Sequence, residues 1–133
     1  MGKTIVFRYV RDQVAATDRG AKMVNPNEEA LKQAVATIGP ISVAIDASSQ
    51  EFMSYKSGVL NIPNYSFKEL NHAVLVVGYG HCEETGLDYW LVKNSWGSKW
   101  GDNGYIKIAR NMGNMCSIAM AAFYPILWCN IKF

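Results

Sequence analysis

The chain has 133 residues, half of them hydrophobic and 18% charged, with a net charge of +2. That balance fits one folded domain with a real core and excludes an intrinsically disordered chain. The basic residues are scattered, which argues against a nucleic-acid groove, and no apolar run reaches the length of a membrane span.

The apolar stretch within residues 1–7 is too short for a secretory signal. Met1-Gly2 could open a myristoylation motif, but Val6 stands where that motif wants Ser or Thr. The first clear element is a helix. Asn25 reads as its N-cap, Pro26 suits the first helical position, and Glu28 lies three residues after the cap, as in a capping box. Ala30, Leu31, Ala34, Val35 and Ile38 then share one face of a 3.6-residue period. Gly39-Pro40 ends the helix, because glycine allows a left-handed cap and proline cannot continue the turn.

Strands follow. Residues 41–46 (ISVAID) are short and rich in β-branched side chains, and 49–54 suggest a helical turn. Pro63-Asn64 sits in a long loop. Residues 72–79 (HAVLVVGY) are almost all apolar, which predicts a strand buried on both faces. The polar turn at 83–86 joins it to a strand at 89–93, and further strands are expected at 105–108 and 117–124. Asp46 and Asp102 are expected on solvated turns. The expected architecture is a single α+β domain over residues 1–133, one N-terminal helix followed by a barrel-like, mostly antiparallel sheet.

Several long motifs occur in order: Asn71-His72-Ala73-Val74-Leu75-Val76-Val77-Gly78-Tyr79-Gly80, Tyr89-Trp90-Leu91-Val92-Lys93-Asn94-Ser95-Trp96-Gly97, Trp100-Gly101 and Gly104-Tyr105. Together they resemble the C-terminal half of the papain-like cysteine proteases. Gly39-Pro40-Ile41-Ser42-Val43-Ala44-Ile45-Asp46-Ala47 and the ending Cys116-Ser117-Ile118-Ala119…Tyr124-Pro125 add a likeness to the L, K and S types of cathepsin. The resemblance covers about residues 7–126; the tail 127–133 runs past the usual family end.

The resemblance implies a cysteine-type endopeptidase with His72 as the base that stabilises a thiolate and later protonates the leaving amine. It makes Asn94 the residue that orients the imidazole and Trp96 the cover over their hydrogen bond. Leu70, Ala73, Ala44 and Ala121 match positions that line the pocket for the residue two before the scissile bond. Their size implies room for a bulky apolar side chain; the plainer alternative is that Ala44 and Ala121 are core alanines. The carbonyl of Asn71 matches a substrate acceptor and Trp100 the leaving-group side. No metal or cofactor is expected. The partners implied are a peptide or protein substrate, the N-terminal protease half and cystatin-like inhibitors, with no nucleic acid or membrane among them. The family's usual compartments are the lysosome or the extracellular space. A metal site built from His72, His81 and Cys82 is disfavoured, because a regular strand points the two histidines in opposite directions.

In this family the nucleophile lies in a C-G-[SA]-C-[WY] segment about 130–150 residues before the histidine and asparagine. Only 71 residues precede His72, and that segment does not occur among them. The isolated chain is therefore expected to be inactive, the oxyanion hole belonging to the other half as well. A non-catalytic binding module is the alternative. The cysteines number three: Cys82, Cys116 and Cys129. Cys116 resembles a cysteine that normally forms a structural disulfide, yet its partner position reads Tyr65, and Ser117 replaces the glycine that usually follows. Phe7 and Asp18 also stand where related cathepsins often carry cysteines. Each disulfide lost from a small secreted domain typically costs about 2–5 kcal/mol. Asn64-Tyr65-Ser66 is an N-glycosylation sequon if the chain meets the secretory pathway.

Overall fold

The computed structural model describes residues 18–127. The expectations that fall on the N-terminal stretch, Phe7, Cys129 and the tail beyond Leu127 lie outside the described residues. Those described form seven strands and two α-helices: β1 (Asp18–Met23), α1 (Glu28–Thr37), β2 (Ile41–Ile45), α2 (Gln50–Met53), β3 (Val59–Leu60), β4 (His72–Cys82), β5 (Leu87–Lys93), β6 (Tyr105–Ala109) and β7 (Ala121–Leu127). A 3-10 turn at Met115–Ser117 precedes β7. The strands join in one sheet of order β1-β7-β2-β4-β5-β6-β3, antiparallel except for the β3–β6 pair.

Helix α1 is where the sequence placed it, but its cap is two residues later. Asn27, not Asn25, is the N-cap: its backbone is extended and its Oδ1 accepts the amide of Ala30 at 2.7 Å. The two glutamates after Asn27 favour this start, since negative charge is stabilised at a helix N-terminus. Glu28 makes no capping box; its Oε1 instead accepts from Trp90 Nε1 at 3.0 Å and from the Asn111 amide at 3.1 Å. Leu31, Ala34 and Val35 are buried as expected, whereas Ile38 is the C-cap and stands half exposed. Gly39 follows at φ +121°, a conformation glycine adopts without steric cost.

The long apolar strand corrects a second expectation. β4 is not buried on both faces. Val74 and Val76 are buried while Ala73 is exposed and Leu75 only partly covered. Within the described residues, α1, α2 and the 3-10 turn pack one face of the sheet and nothing packs the other, so the period of two reappears as alternating burial. The packed face carries Ile41, Val43, Ile45, Val74, Val76, Trp90, Val92, Ile106 and Ile108, joined by Leu31, Val35 and Phe52. Register fixes the open face: Phe123 pairs with Ser42, Ser42 with Leu75, and Leu75 with Lys93.

The strand expected at 117–124 begins only at Ala121. Asn114, Cys116 and Ser117 all have positive φ, near +55°, and this left-handed run cannot pair in a ladder. The Asn114 side chain closes the turn by accepting the Ala119 amide at 2.9 Å. Asp46 is the third correction. It is 2% exposed, and its carboxylate accepts from the Ser48 amide and hydroxyl, the Tyr65 hydroxyl and the Lys68 amide. Asp102 is exposed in a turn, as expected.

Candidate active site

His72 is the first residue of β4, and Asn94 follows the last residue of β5. Both lie on the packed side: His72 continues the column Val76-Val74, and Asn94 continues Trp90-Val92. They form the polar end of the core, and His72 Nε2 lies 2.8 Å from Asn94 Oδ1. That oxygen also accepts the Ser95 amide at 2.7 Å. A backbone N–H only donates, so the atom it meets is the amide oxygen, and the histidine nitrogen facing the same oxygen must carry hydrogen. The shared acceptor thus assigns the tautomer: Nε2 is protonated, and Nδ1 is the ring nitrogen left to exchange a proton.

Asn94 is held from both directions. Its amide donates to Gly104 O at 3.0 Å, and its side chain is 7% exposed, with Nδ2 buried and unpaired among the described residues. The Trp96 ring lies over the imidazole at 4.9 Å between centroids and a tilt of 32°. Phe52, fully buried, meets Trp96 edge-on at 5.6 Å and His72 at 6.3 Å. Trp100 completes the group, 5.2 Å from Trp96 and 5.3 Å from Phe52, with Nε1 donating to Met53 O at 2.9 Å. Such edge-to-face pairs add specific attraction to simple burial. The sequence pointed to Trp96 and Trp100 but gave no signal for Phe52, which belongs to the short helix between β2 and β3.

The loop entering His72 is tied down at several points. The Asn71 amide donates to Ile45 O at 3.0 Å, and its Oδ1 accepts the Ala47 amide at 2.9 Å. Upstream, the Asp46 carboxylate holds Tyr65 and Lys68 as described. Burial alone would raise the Asp46 pKa, but the hydrogen bonds from Ser48, Lys68 and Tyr65 outweigh it and hold the carboxyl below its ordinary value. Burial pushes Tyr65 up to about 12, against the bond to Ser117, with the Asp46 charge adding to the rise.

The small residues singled out from the sequence come together. Ala121 pairs with Ala44 and Ala44 with Ala73, a row of three alanines across β7, β2 and β4. None of the three is buried, so they are not core alanines. Leu70 is partly exposed on the loop just before Asn71. A groove of about 420 Å³ continues beside this row, lined by Ser42, Ala73, Val74, Leu75, Lys93, Asn94 and Ser95. His81 stands apart at the far end of β4, paired through Nδ1 with Asp88 at 2.8 Å. Among the described residues no three His, Cys, Asp or Glu side chains gather in a way that could hold a metal ion.

Residues 5–126 match the model of the papain family of cysteine proteases. Cathepsin L of Sarcophaga peregrina is 56% identical over 113 residues, 84% of this chain and 33% of that protein. A cathepsin L-like peptidase of Aedes aegypti is 54% identical over 115 residues, 86% of this chain and 34% of its own length. Among solved structures, the digestive procathepsin L2 proteinase from the larval midgut of Tenebrio molitor superposes with a TM-score of 0.81 at 49% identity. That match covers 90% of this chain and 38% of that one. The chain therefore spans about a third of the length of these relatives, and its seven-stranded sheet with two helices is the architecture of the C-terminal domain of the papain-like fold.

Proposed function

The chain belongs to the papain family of cysteine proteases, and from that membership we propose that it supplies the histidine and asparagine of a cathepsin L-like endopeptidase. The cysteine comes from protein outside these 133 residues. Residues 1–133 act as a single domain in this role. The observation that carries the reading is the His72–Asn94 hydrogen bond with its assigned tautomer.

Nδ1 of His72 faces the cysteine sulfur. As imidazolium it stabilises the thiolate, which is the reactive form of the nucleophile. The thiolate attacks the scissile carbonyl, and His72 passes the Nδ1 proton to the departing amine. A water molecule, deprotonated by the same nitrogen, then releases the acyl group from sulfur. Asn94 prevents ring rotation by accepting from Nε2, and Trp96 keeps water from competing for that bond. Oxyanion stabilisation comes from the nucleophile-bearing half. Ala44, Ala73, Ala121 and Leu70 form one wall of the pocket for a bulky apolar residue two before the scissile bond. The carbonyl of Asn71 receives a substrate N–H there, and Trp100 borders the leaving-group side. The protein works in a lysosome or in the extracellular space.

The test is reconstitution. The purified chain alone is expected to leave a fluorogenic Phe-Arg peptide intact. Mixed with a papain-family N-terminal half, it should give hydrolysis that alkylation of the thiol blocks and His72→Ala abolishes. Turnover by the 133 residues alone, or reconstituted turnover indifferent to His72→Ala, would sink the reading.

The open sheet face favours a second reading, a binding module without catalysis. Two grooves on it share Ser42, one running toward Asn94 and the other bounded by Asp18, Gly20, Phe123 and Pro125. Exposed apolar surface of this kind marks an interaction site. Capture of an N-terminal half, a propeptide or a cystatin-like inhibitor without any gain of hydrolysis would favour it over the first.

A further inference from the structure

We propose that Asn64 is an acceptor site for an N-linked oligosaccharide. The proposal rests on the lysosomal or extracellular location proposed above, because the transfer takes place inside the secretory pathway. The tripeptide Asn64-Tyr65-Ser66 has the required pattern, with no proline in the middle. No other asparagine of the 133 residues has Ser or Thr two positions on.

A tripeptide becomes a site only if its geometry allows one, and here it does. Residues 62–65 form a tight turn closed by the Tyr65 amide on Ile62 O at 3.3 Å. Pro63 and Asn64 are its central residues, and Asn64 takes φ +53°, which asparagine tolerates better than other side chains apart from glycine. The three residues of the sequon then alternate. Tyr65 points inward, its hydroxyl 3.0 Å from Ser117 Oγ and 3.2 Å from Asp46 Oδ2. Asn64 and Ser66, on either side, are exposed, and neither side chain makes a hydrogen bond among the described residues. The partly buried middle residue anchors the segment through its hydroxyl while the acceptor amide and the Ser66 hydroxyl face solvent.

A sugar on Asn64 Nδ2 therefore displaces no packed group and orphans no buried polar atom. Beside it lies a depression of about 350 Å³, lined among others by Ile62, Pro63, Met112 and Met115, which offers the first sugar an apolar shelf. That depression shares no residue with the groove along Ala73, Leu75 and Asn94, so the point of attachment lies outside that groove.

The donor is a lipid-pyrophosphate-linked oligosaccharide. A bond forms between Nδ2 and the anomeric carbon, and the bond from that carbon to the pyrophosphate oxygen breaks. The electron pair leaves with the lipid pyrophosphate, and one amide proton is lost to base. No oxidant or reductant enters.

The test translates the full chain behind a cleavable leader into microsomes, with a control sequon in a linker after Phe133. Two oligosaccharides are expected on the wild type and one on Asn64→Gln or Ser66→Ala. Ser66→Thr should keep both, and peptide N-glycosidase should convert Asn64 to aspartate in the recovered peptide. A wild-type chain modified at the control alone overturns the assignment while leaving the proposed location untouched. Location is read separately: the untagged chain fractionating outside the secretory organelles of its own cells would count against that premise, not against the microsome result.

Discussion

The two faces of the seven-stranded sheet are made by alternate residues of the same strands, and among the described residues they differ in what covers them. On the packed face, Val43, Val74, Val76, Trp90 and Val92 meet the helices. On the open face, the same segments contribute Ser42, Ala44, Ala73, Leu75 and Lys93. The site sits where the packed face ends. His72 and Asn94 are the outermost rungs of two core columns, so their positions inherit the rigidity of Val74, Val76, Trp90 and Val92. The open face lends only small side chains beside them. Precision comes from one face and room from the other.

The largest contrast between packed and open regions should appear in thiol chemistry. Cys116 is fully buried, and burial, with the Asp46 charge adding, pushes its thiol up to about 12. Cys82, at the exposed far end of β4, is held below its ordinary value by hydrogen bonds from Thr85 and the turn. In a Cys129→Ser background, a disulfide reagent at neutral pH should modify Cys82 at least about thirty-fold faster than Cys116. The thiolate fractions differ by about a thousand-fold, the greater nucleophilicity of the more basic thiolate gives back roughly thirty-fold, and blocked access to the buried sulfur widens the gap again. The linkage follows with a definite sign. A thiol whose folded pKa is raised contributes stability below its unfolded value of 9.0, and that stability is lost as pH climbs from there toward about 12. Comparable rates for the two thiols in the folded chain would break the contrast.

Next come the faces themselves. Trp90→Ala removes a fully buried ring and the donor to Glu28, and should cost about 3–5 kcal/mol, a large part of the roughly 5–15 kcal/mol that holds a domain together. Leu75→Ala on the open face should cost no more than about 1 kcal/mol. Urea unfolding of the two variants measures the difference. Equal costs would mean that the open face is packed in solution, as it would be in a self-associated chain.

Asp46 ranks third. Its folded pKa is depressed, so its contribution is present above the ordinary 3.8 and is lost as pH falls through the lower folded value. Stability followed from pH 7 to strongly acid conditions should therefore fall less steeply in Asp46→Asn than in the wild type. At neutral pH, Asp46→Ala should cost at least about 1.5–3 kcal/mol, because the Ser48 and Lys68 amides lose a charged acceptor. A pH profile unchanged by Asp46→Asn would rule out the clamp.

The same contrast of packed and open faces decides which features of the fold are legible in the residues. The meeting of His72 and Asn94 is legible because both stand inside long ordered motifs, and the helix ending at Gly39-Pro40 because its breakers are local. The burial of HAVLVVGY on one face only is not legible, because an apolar run says nothing about how many faces have partners; only tertiary packing decides that. β1 leaves no signal because DRGAKM is a charged edge strand with no alternation, and β3 leaves none because two residues carry no period. Asp46 looked like a solvated carboxylate because its donors, Ser48, Tyr65 and Lys68, are gathered by the loop before His72 and not by any spacing a sequence shows.

The smallest effect tests how the clamp is locked. Where the resemblance implies a disulfide from Cys116, this chain has Tyr65, and its hydroxyl lies 3.0 Å from the side chain of Ser117. Ser117 holds φ +56°, a conformation that costs a residue with a Cβ roughly 1–2 kcal/mol. Ser117→Gly relieves that strain but gives up the hydroxyl pair and adds freedom to the unfolded chain, about 0.4–1 kcal/mol by itself. The opposing terms should leave a net change of about 1 kcal/mol or less, too small to interpret alone. A double-mutant cycle with Tyr65→Phe isolates the pair. Tyr65→Phe leaves Ser117 Oγ, which is buried, without its partner, so the two substitutions should be coupled by about 0.5–1.5 kcal/mol. Strict additivity would mean that the hydroxyls merely sit near each other, and that the bonds of Asp46 and Asn71 hold the loop entering His72 without them.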